Sequence, residues 1–301
     1  MSLKVLVIGA NGFIGNNTVV FLEKEGYDVY RADISINSND EEKYFTIDSE
    51  QPNFESIFQS VSFDVCINAS GAASVPLSFE DIQNDFRLNT FSVFLILDSI
   101  RKTNGSCKFI NISSAAVYGS PEILPISEDS DLEPESPYGF HKLMSELICK
   151  EFYTIYKIPT CSLRVFSAFG PGLKKQLFWD TYQKMKKGNV LEMFGDGTET
   201  RDFIYIGDVV KSIDCVIKNA IFKGDILNIG NGEAITIREA VDTFLALDIN
   251  KFTLNFKGKR IGDPSHWQAD IQNLVSHGYE KSFSLKEGLE HYYDWLKLND
   301  F

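Results

Sequence analysis

A glycine-rich turn near the start of the chain restricts the possible fold more than any other segment. The apolar run at residues 3–8 predicts a strand, and Gly9-Ala-Asn-Gly12-Phe-Ile-Gly15 then leads into a helical stretch at 13–25. Glycine permits a tight turn, close approach of the backbone to a pyrophosphate, and close packing of a helix on a sheet. The start of a helix also offers free N–H groups and a favourable dipole to an anion. These residues therefore predict a dinucleotide-binding turn at the first strand–helix junction.

An acidic residue follows the second predicted strand, at residues 28–32. Asp33 lies 18 residues beyond Gly15, where a carboxylate can accept hydrogen bonds from the adenosine ribose of a dinucleotide. A carboxylate there also repels a 2′-phosphate, so the sequence favours NAD over NADP. Arg31 is expected to face away from Asp33, because side chains alternate along a strand. Asp48, after a short third strand, is a candidate for the adenine amino group, although an ordinary strand-end carboxylate fits the same position.

Predicted strands and helices alternate through the first half of the chain. Strands separated by helices indicate a parallel, doubly wound sheet. The fold class is therefore α/β, with a Rossmann-type doubly wound parallel sheet and a smaller α/β lobe for the substrate. Ser78-Phe-Glu-Asp81 resembles a capping box and is expected to open one long helix. The predicted strands lie at 3–8, 28–32, 44–47, 64–69, 107–113, 158–165 and 225–229, and the main predicted helices at 13–25, 78–102, 136–156, 237–247 and 285–298.

The different patterns of the two halves predict that the cofactor and the substrate are bound by different parts of the chain. We expect residues 1–165 to form an NAD-binding domain, joined by parts of 203–230, and residues 166–301 to form mainly the substrate-binding lobe. This lobe should close over the carboxyl edge of the sheet, where such sheets bind ligands.

Composition excludes several classes of partner. The net charge is −13 over 301 residues, which argues against a nucleic-acid surface. No apolar run approaches the ~20 residues that span a bilayer, so we expect no membrane association. The five cysteines are scattered, without a C-x-x-C pair or paired histidines, so we expect no metal site. Reduced thiols of this kind are typical of a cytoplasmic protein.

A tyrosine and a lysine four residues apart are the candidate reactive groups. Tyr138 and Lys142 lie on one face of a predicted helix, where an ammonium favours the ionised phenol of its neighbour. Ser114 lies 24 residues upstream of Tyr138, at the end of a predicted strand. Together these groups suit proton transfer to or from an alcohol or a ketone. The same Tyr–Lys spacing recurs without such a serine at Tyr153/Lys157, Tyr182/Lys186 and Tyr293/Lys297.

Several further motifs occur in the order that one family shows. With them the chain resembles the extended short-chain dehydrogenase/reductases, specifically the NAD-dependent epimerase/dehydratase family, which acts on nucleotide sugars. The likeness covers nearly the whole chain. Besides the glycine turn, its motifs are Asn68-Ala-Ser-Gly-Ala-Ala-Ser-Val75, Asn89-Thr90, Ser113-Ser-Ala-Ala-Val-Tyr-Gly119, Pro137-Tyr-Gly-Phe-His-Lys-Leu-Met-Ser-Glu146, Leu163-Arg-Val-Phe-Ser-Ala-Phe-Gly-Pro171, Gly195-Asp-Gly-Thr-Glu-Thr-Arg-Asp-Phe-Ile-Tyr-Ile-Gly-Asp208, Arg260-Ile-Gly-Asp263 and Ser284-Leu-Lys-Glu-Gly-Leu289.

The resemblance implies a role for each matching residue. Ser114, Tyr138 and Lys142 would form a catalytic triad, in which Lys142 binds the nicotinamide ribose and lowers the pKa of Tyr138. It also implies a homodimer built on the helices at 79–102 and 138–156. Cofactor contacts are implied for Gly9, Asn11, Gly12, Phe13, Ile14, Gly15, Asp33, Asp48, Ala69 and Lys142. Substrate contacts are implied for Ser74, Ser114, Ser167, Arg201 and Arg260, with the two arginines on the diphosphate.

Two residues depart from the family pattern. His141 replaces the serine or threonine common before the lysine, and we expect it to pack or face solvent rather than donate a proton. Ser167 stands where many members have an asparagine that contacts the substrate. For Arg201, surface ion pairing with Asp202 or Glu199 is the alternative role.

The two residues after Ser114 restrict the reaction. Nucleotide-sugar dehydratases carry acidic residues there, whereas Ala115 and Ala116 offer only methyl groups and cannot perform acid–base chemistry. The predicted activity is therefore NAD-dependent epimerisation of a nucleotide sugar, at C4 through a transient 4-keto intermediate. A 4-keto-sugar reductase using NADPH and a nucleotide-sugar sensor without turnover remain the alternatives.

Overall fold

Alternating strands and helices build the part of the chain that the computed structural model describes, residues 2–35, 42–258 and 265–301. The strands are β1 (Lys4–Ile8), β2 (Asp28–Asp33), β3 (Tyr44–Thr46), β4 (Val65–Asn68), β5 (Lys108–Ser114), β6 (Thr160–Val165), β7 (Ser167–Phe169), β8 (Val190–Met193), β9 (Thr200–Arg201), β10 (Phe203–Tyr205), β11 (Lys223–Ile229), β12 (Ile235–Thr236) and β13 (Thr253–Phe256). The helices are α1 (Phe13–Lys24), α2 (Phe54–Ser60), α3 (Val75–Glu80), α4 (Ile82–Phe86), α5 (Ser92–Thr103), α6 (Pro137–Tyr156), α7 (Gln176–Met185), α8 (Ile206–Asn219), α9 (Ile237–Leu245), α10 (Gln272–Ser276) and α11 (Leu285–Leu298).

A parallel sheet with the strand order β11-β6-β5-β4-β1-β2-β3 forms the centre of this structure. The chain first runs outward from β1 to β3 and then crosses back to β4, so the winding direction reverses between β1 and β4. Open α/β sheets bind ligands beyond the carboxyl ends of the strands at such a reversal. The predicted doubly wound α/β fold is confirmed.

Both faces of the central strand are covered, which explains its continuous apolar sequence. Val5 and Val7 of β1 pack in the core shared with α1 and α8, whereas Leu6 and Ile8 pack with α2 and α5 on the opposite face. Strands buried on both faces lack the polar alternation of a half-exposed strand. The sheet is therefore the middle layer of a helix–sheet–helix arrangement.

The later part of the chain adds small sheets to the large one. β7 pairs with β10, β9 with β12, and β8 with β13, each as a two-stranded sheet. β11, however, returns to the large sheet beside β6, and α8 packs against α1. In the stretches that the structure describes, no helix combines the length and apolar character needed to cross a bilayer.

The helix predicted from 78 to 102 is divided, and its predicted start is wrong. Ser78 is buried inside α3, where its hydroxyl donates to the Val75 carbonyl at 2.7 Å. Ser74 caps α3 instead, and Asp81 caps α4 by accepting from the Asn84 N–H at 3.1 Å. A π-helical turn, Arg87–Phe91, then joins α4 to α5. Such turns insert one extra residue and are frequent at functional sites.

Candidate active site

The glycine turn packs directly against the end of β4. Gly9 has φ +79°, and a Cβ there would lie 2.6 Å from the Ser70 nitrogen. At Gly15, a Cβ would lie 2.0 Å from the Gly9 oxygen. Any side chain at either position would therefore push α1 or β4 away from the turn. The Ala69 N–H, which donates to the Ile8 carbonyl at 2.9 Å, closes the same junction.

The start of α1 is open to an anion. Gly12 occupies the N-cap and provides no side-chain cap, and the first turn contains no acidic residue. The amides of the first helical turn, beginning at Phe13 and Ile14, lack partners within a helix. A close glycine backbone and an uncapped, positive helix end fit the pyrophosphate of a dinucleotide.

Asp33, at the end of β2, fixes the turn from the other side. Its Oδ2 accepts the Asn11 N–H at 2.9 Å, and its Oδ1 accepts the Ser35 hydroxyl at 3.2 Å. The Asn11 side chain donates to Ser35 Oγ and to Tyr44 Oη. The carboxylate is partly exposed and lies beside the turn, as a group that contacts a ribose must.

Arg31 and Asp48 both have partners within the protein. Arg31 and Asp33 are two residues apart and lie on the same face of β2, so the argument from alternation is wrong. Arg31 instead donates to Glu23 Oε1 of α1 at 2.6 Å. Asp48 is exposed and accepts the Glu50 and Gln51 N–H groups at 2.8 and 3.0 Å, which lowers the pKa of its carboxyl. This local turn accounts for the Asp48 carboxylate, and its contact with adenine stays a prediction.

The structure brings Ser114, Tyr138 and Lys142 together at the carboxyl edge of the sheet. Ser136 begins α6 by accepting the Gly139 N–H at 3.1 Å. A Cβ at Gly139 would lie 2.6 Å from the Ala116 oxygen, so the first turn of α6 lies directly on the loop after β5. This contact sets Tyr138 beside Ser114, close enough for the serine hydroxyl to lower the pKa of the phenol.

Lys142 is held one turn further along α6. Its Nζ donates to the Ile112 carbonyl of β5 at 2.9 Å and lies 5.8 Å from the centre of the Tyr138 ring. Both side chains are buried, with exposed fractions of 6% for Lys142 and 9% for Tyr138. A buried lysine and a buried phenol beside a hydroxyl form a compact group for proton transfer.

Burial, rather than the lysine, dominates the titration of this group. Desolvation raises the pKa of Tyr138 to about 12. The Ser114 hydroxyl lowers this pKa, and the negative charge of Asp85 raises it further. Desolvation lowers the pKa of Lys142 to about 8, although Asp85 and Glu146 favour the ammonium. In the chain alone, Lys142 therefore does not give the expected lowering of the Tyr138 pKa. The phenol is desolvated by burial, and the Lys142 ammonium donates to the Ile112 carbonyl.

The other Tyr–Lys pairs show that spacing alone does not create this site. Lys157 Nζ lies 5.7 Å from the Tyr153 ring centre, and Lys297 Nζ lies 5.4 Å from that of Tyr293, much as in the first pair. Lys157 and Lys297 are exposed, however, and neither ring faces a strand-end serine. What distinguishes the Tyr138/Lys142 pair is the burial of its lysine against β5.

A buried polar network behind Lys142 was not predicted. His141 is buried, contrary to the alternative of a solvent-facing residue, and its Nδ1 lies 2.6 Å from Asp85 Oδ2. Asp85 Oδ1 accepts from Asn89 Nδ2 at 3.0 Å. The Asp85–Asn89 spacing was a readable sign of a shared helix face, but the contact with His141 joins residues 56 apart and had no sequence signal.

The predicted substrate residues lie in separate elements. Ser74 caps α3, and the Ser167 N–H of β7 donates to the Asp202 carbonyl at 3.0 Å. Arg201 of β9 donates to the Thr200 carbonyl at 2.8 Å and lies 5.6 Å from the Trp267 ring centre. Arg260 lies outside the described residues. Lys175, which sequence analysis missed, reaches across to the Ala73 carbonyl at 2.9 Å and adds a positive charge near Ser74.

Fold and site together define a class: a dinucleotide-binding α/β protein with a Ser–Tyr–Lys group at the carboxyl edge of its sheet, in which the tyrosine and the lysine are buried. Residues 5–230 match the family model described as the NAD dependent epimerase/dehydratase family. Because this match spans well over half of the chain, the protein belongs to that family. NAD is the cofactor that the family description names, and the glycine turn with its uncapped helix fits it.

Individual relatives resemble the chain over its whole length. It is 29% identical over 306 residues to the uncharacterised UDP-glucose epimerase YtcB of Bacillus subtilis, covering 95% of this chain and 96% of that protein. It is 27% identical to the UDP-glucose 4-epimerase of the same organism, covering 99% of this chain and 98% of that protein. The solved UDP-glucuronic acid 4-epimerase of Bacillus cereus, in complex with UDP-glucuronic acid and NAD, is 28% identical, covers 99% of this chain and 100% of that one, and has a TM-score of 0.89.

Proposed function

We propose that the protein is an NAD-dependent epimerase that inverts C4 of a nucleotide-diphosphate sugar. The observation that carries this proposal is the pair of buried side chains, Tyr138 and Lys142, beside the half-buried Ser114 at the carboxyl edge between β4 and β5. The proposal is supported by the family, which consists of NAD-dependent epimerases and dehydratases. It is also supported by relatives that are named as UDP-sugar 4-epimerases.

Tyr138 is the proposed proton acceptor and donor. Bound NAD supplies a hydride acceptor that returns the hydride, and its oxidised ring carries a positive charge. Tyr138 Oη takes the proton of the sugar 4-hydroxyl and gives it back after the ketone has turned. Because burial holds the pKa of Tyr138 at about 12 in the chain alone, the phenol is protonated until positive charge enters the site.

Ser114 and Lys142 orient the reacting groups in this proposal. The Ser114 hydroxyl lies beside the phenol and holds the sugar oxygen within reach of Tyr138. Lys142 can donate to the nicotinamide ribose with the N–H groups not used by Ile112, since an ammonium has three donors. The remaining cofactor contacts are those proposed for Gly9, Asn11, Gly12, Phe13, Ile14, Gly15, Asp33, Asp48 and Ala69.

The loop after Ser114 favours epimerisation over dehydration. Ala115 is fully buried and the Ala116 N–H donates to Ser114 Oγ at 3.2 Å, so the loop presents no acid or base beside the serine. Loss of a hydroxyl from the sugar needs such a group. For the substrate, we propose diphosphate contacts from Arg201 and Arg260 and sugar contacts from Ser74, Ser114 and Ser167.

The division into a cofactor-binding and a substrate-binding part is also a proposal, as is the homodimer. Residues 1–165 with α8 and β11 would hold the cofactor, and the rest of 166–301 the substrate; the return of β11 to the large sheet supports this. A homodimer through α5 and α6 is supported by an exposed apolar face, which consists of Phe91, Phe94, Phe140, Met144 and Leu147. The unpaired cysteines fit the reducing cytoplasm, which we propose as the location.

A direct assay tests the activity. The purified protein is denatured, released NAD or NADP is identified, and UDP-, dTDP- and GDP-sugars are followed by NMR with intact protein. The expected result is growth of a C4 epimer without added reductant. Net consumption of NADPH with a 4-keto sugar would instead establish the reductase, and tight NAD binding without turnover on any sugar would establish a sensor.

A further inference from the structure

A buried carboxylate lies directly behind the lysine of the candidate site. Asp85 has an exposed fraction of 3%, and both of its oxygens are used, Oδ1 by Asn89 and Oδ2 by His141. An ionised carboxylate in a dry region is stable only when a positive group and hydrogen bonds compensate it. His141 Nδ1, at 2.6 Å, is the basic nitrogen in hydrogen-bond contact with it.

The surrounding contacts hold His141 in this arrangement. Thr90 Oγ1 donates to the His141 carbonyl at 2.9 Å, and the Phe86 ring packs edge-on against the imidazole with centres 5.4 Å apart. The residue belongs to α6, whereas Thr90 lies in the π-helical turn and Asp85 in α4. The pair therefore ties α4 and the π-helical turn to the helix that carries Tyr138 and Lys142.

The pair also fixes an amide that faces Lys142. Asn89 Nδ2 donates to Asp85 Oδ1 and to the Ala72 carbonyl, each at 3.0 Å, so both of its protons are used. Its Oδ1 is buried and has no hydrogen-bond partner among the described residues. A Cβ at Gly71 would lie 2.5 Å from this oxygen and 3.5 Å from Lys142 Nζ, so the two atoms border the same small space.

Few other charges face the pair. On α6 these are Lys142 and Glu146, and the Glu146 carboxylate is bound by the buried Arg164. On the π-helical turn, Arg87 directs its guanidinium to the Ser49 carbonyl and Asn84 Oδ1.

On α3 and at the start of α4, Glu80 and Asp81 are exposed. Among the described residues, Tyr138 is also titratable, and Asp85 disfavours its phenolate while favouring the Lys142 ammonium.

We propose that Asp85 and His141 form an ionised positioning pair, in which the imidazolium balances the carboxylate and thereby limits the negative charge that Lys142 and Tyr138 meet. The pair acts through Lys142 and does not touch the substrate. Its consequence for turnover rests on the proposed function, whereas its effect on Lys142 does not.

The test follows the titration of Lys142 in the full-length protein by NMR, with lysine labelled with ¹³C at Cε. The Lys142 signal is assigned by its absence from Lys142→Met. Asp85→Asn removes the negative charge and is expected to lower the midpoint of the Lys142 titration by roughly one pH unit. His141→Gln keeps a hydrogen-bond donor but removes the balancing charge, and is expected to raise the midpoint.

Asp214→Asn is the matched control, since it converts the carboxylate of a different ion pair, with Lys218 on α8, and should leave the midpoint unchanged. A purely structural pair would give both test variants the same shift or none, and either result would overturn the proposal. The ¹⁵N shifts of His141 in the unsubstituted protein provide a second measurement that needs no variant. Two protonated ring nitrogens in the folded protein would support the pair, and a neutral tautomer would overturn it.

Turnover separates this proposal from the proposed function. With an active substrate, the alkaline limb of the pH–rate profile should move down in Asp85→Asn and up in His141→Gln, in parallel with Lys142. Opposite shifts of Lys142 without epimerisation of any sugar nucleotide would support the pair while rejecting the epimerase.

Discussion

Burial of Lys142 lowers the pKa of its ammonium and reduces the stability of the folded chain. Its pKa is lowered to about 8 from the usual 10.5, because a buried ammonium has lost its water. Below about pH 8 the ammonium is present in folded and unfolded chains, and the folded state bears the full cost of its burial. As pH rises from 8 to 10.5 the folded chain releases its proton first, so the cost declines and then disappears.

Lys142→Met is therefore expected to stabilise the protein while abolishing turnover. Near neutral pH the free energy of unfolding should rise by roughly 1–2 kcal/mol, because an apolar stem replaces a buried charge. Urea unfolding of both proteins near pH 7 and near pH 10 measures this, and the gain should shrink at the higher pH. An equal gain at both values would contradict the argument.

Tyr138→Phe removes the proposed proton carrier without changing the shape of the ring. Turnover should fall by at least about 100-fold, since general acid–base catalysis contributes that much or more. Thermal unfolding and bound NAD should stay close to those of the original protein. Tyr153→Phe is the control, because this tyrosine lies on the same helix with the same spacing to a lysine, and the variant should retain full turnover.

At the scale of single elements, the first turn of α6 is the critical segment. Ser136 caps the helix, Pro137 begins it, and Tyr138 follows at once, so fraying of this turn displaces the phenol directly. By contrast, α11 is stabilised by a complete capping box at Ser284 and Glu287 and lies outside the Ser–Tyr–Lys group.

Ser136→Ala should lower the free energy of unfolding by about 1 kcal/mol through loss of the cap, and should also reduce kcat. Ser284→Ala should cost a similar amount of stability because it breaks the cap of α11, yet leave kcat unchanged. Urea denaturation and steady-state kinetics on the two variants measure both effects. Equal loss of kcat in both would show that the α6 cap has no special role.

The elements that sequence could predict are those with local signals. β1, α1, α6 and α11 follow from apolar runs, glycines and caps, and their boundaries differ from prediction by one or two residues at most. Ser78 does not cap a helix because it is buried inside α3, and Ser74 and Asp81 cap α3 and α4.

At the site, Ser114, Tyr138 and Lys142 could be found from motifs. The burial of Tyr138 and Lys142 and the Asp85–His141 contact depend on how helices distant in sequence pack together. No local pattern encodes this packing.

For the whole molecule, the unpaired face of α5 and α6 is the feature with the largest consequence. Leu147 and Phe91 are 61% and 45% exposed, which is costly for an isolated chain and expected of an interface. This face lies on the outer side of α6, opposite the side that packs on the sheet. Assembly would thus stiffen the helix that carries the candidate reactive group.

Leu147→Asp should convert the proposed dimer into a monomer. A carboxylate enclosed in an apolar interface costs several kcal/mol, so the dimer dissociation constant should rise by more than about 100-fold. Sedimentation velocity at micromolar concentration measures the change. Ile249→Asp is the control because Ile249 is fully exposed after α9, away from this face. A monomer before any substitution would refute the dimer.

The return of β11 to the large sheet has a consequence for synthesis of the chain on the ribosome. β6 ends at Val165, but its outer neighbour is completed only at Ile229, after the intervening segment has been made. Until then β6 presents an open edge, and Arg164 and Tyr118 lack the later Asn228 that completes their network. Open edges recruit other strands, so the nascent chain passes through a stage at which a chaperone that shields strand edges would raise its yield.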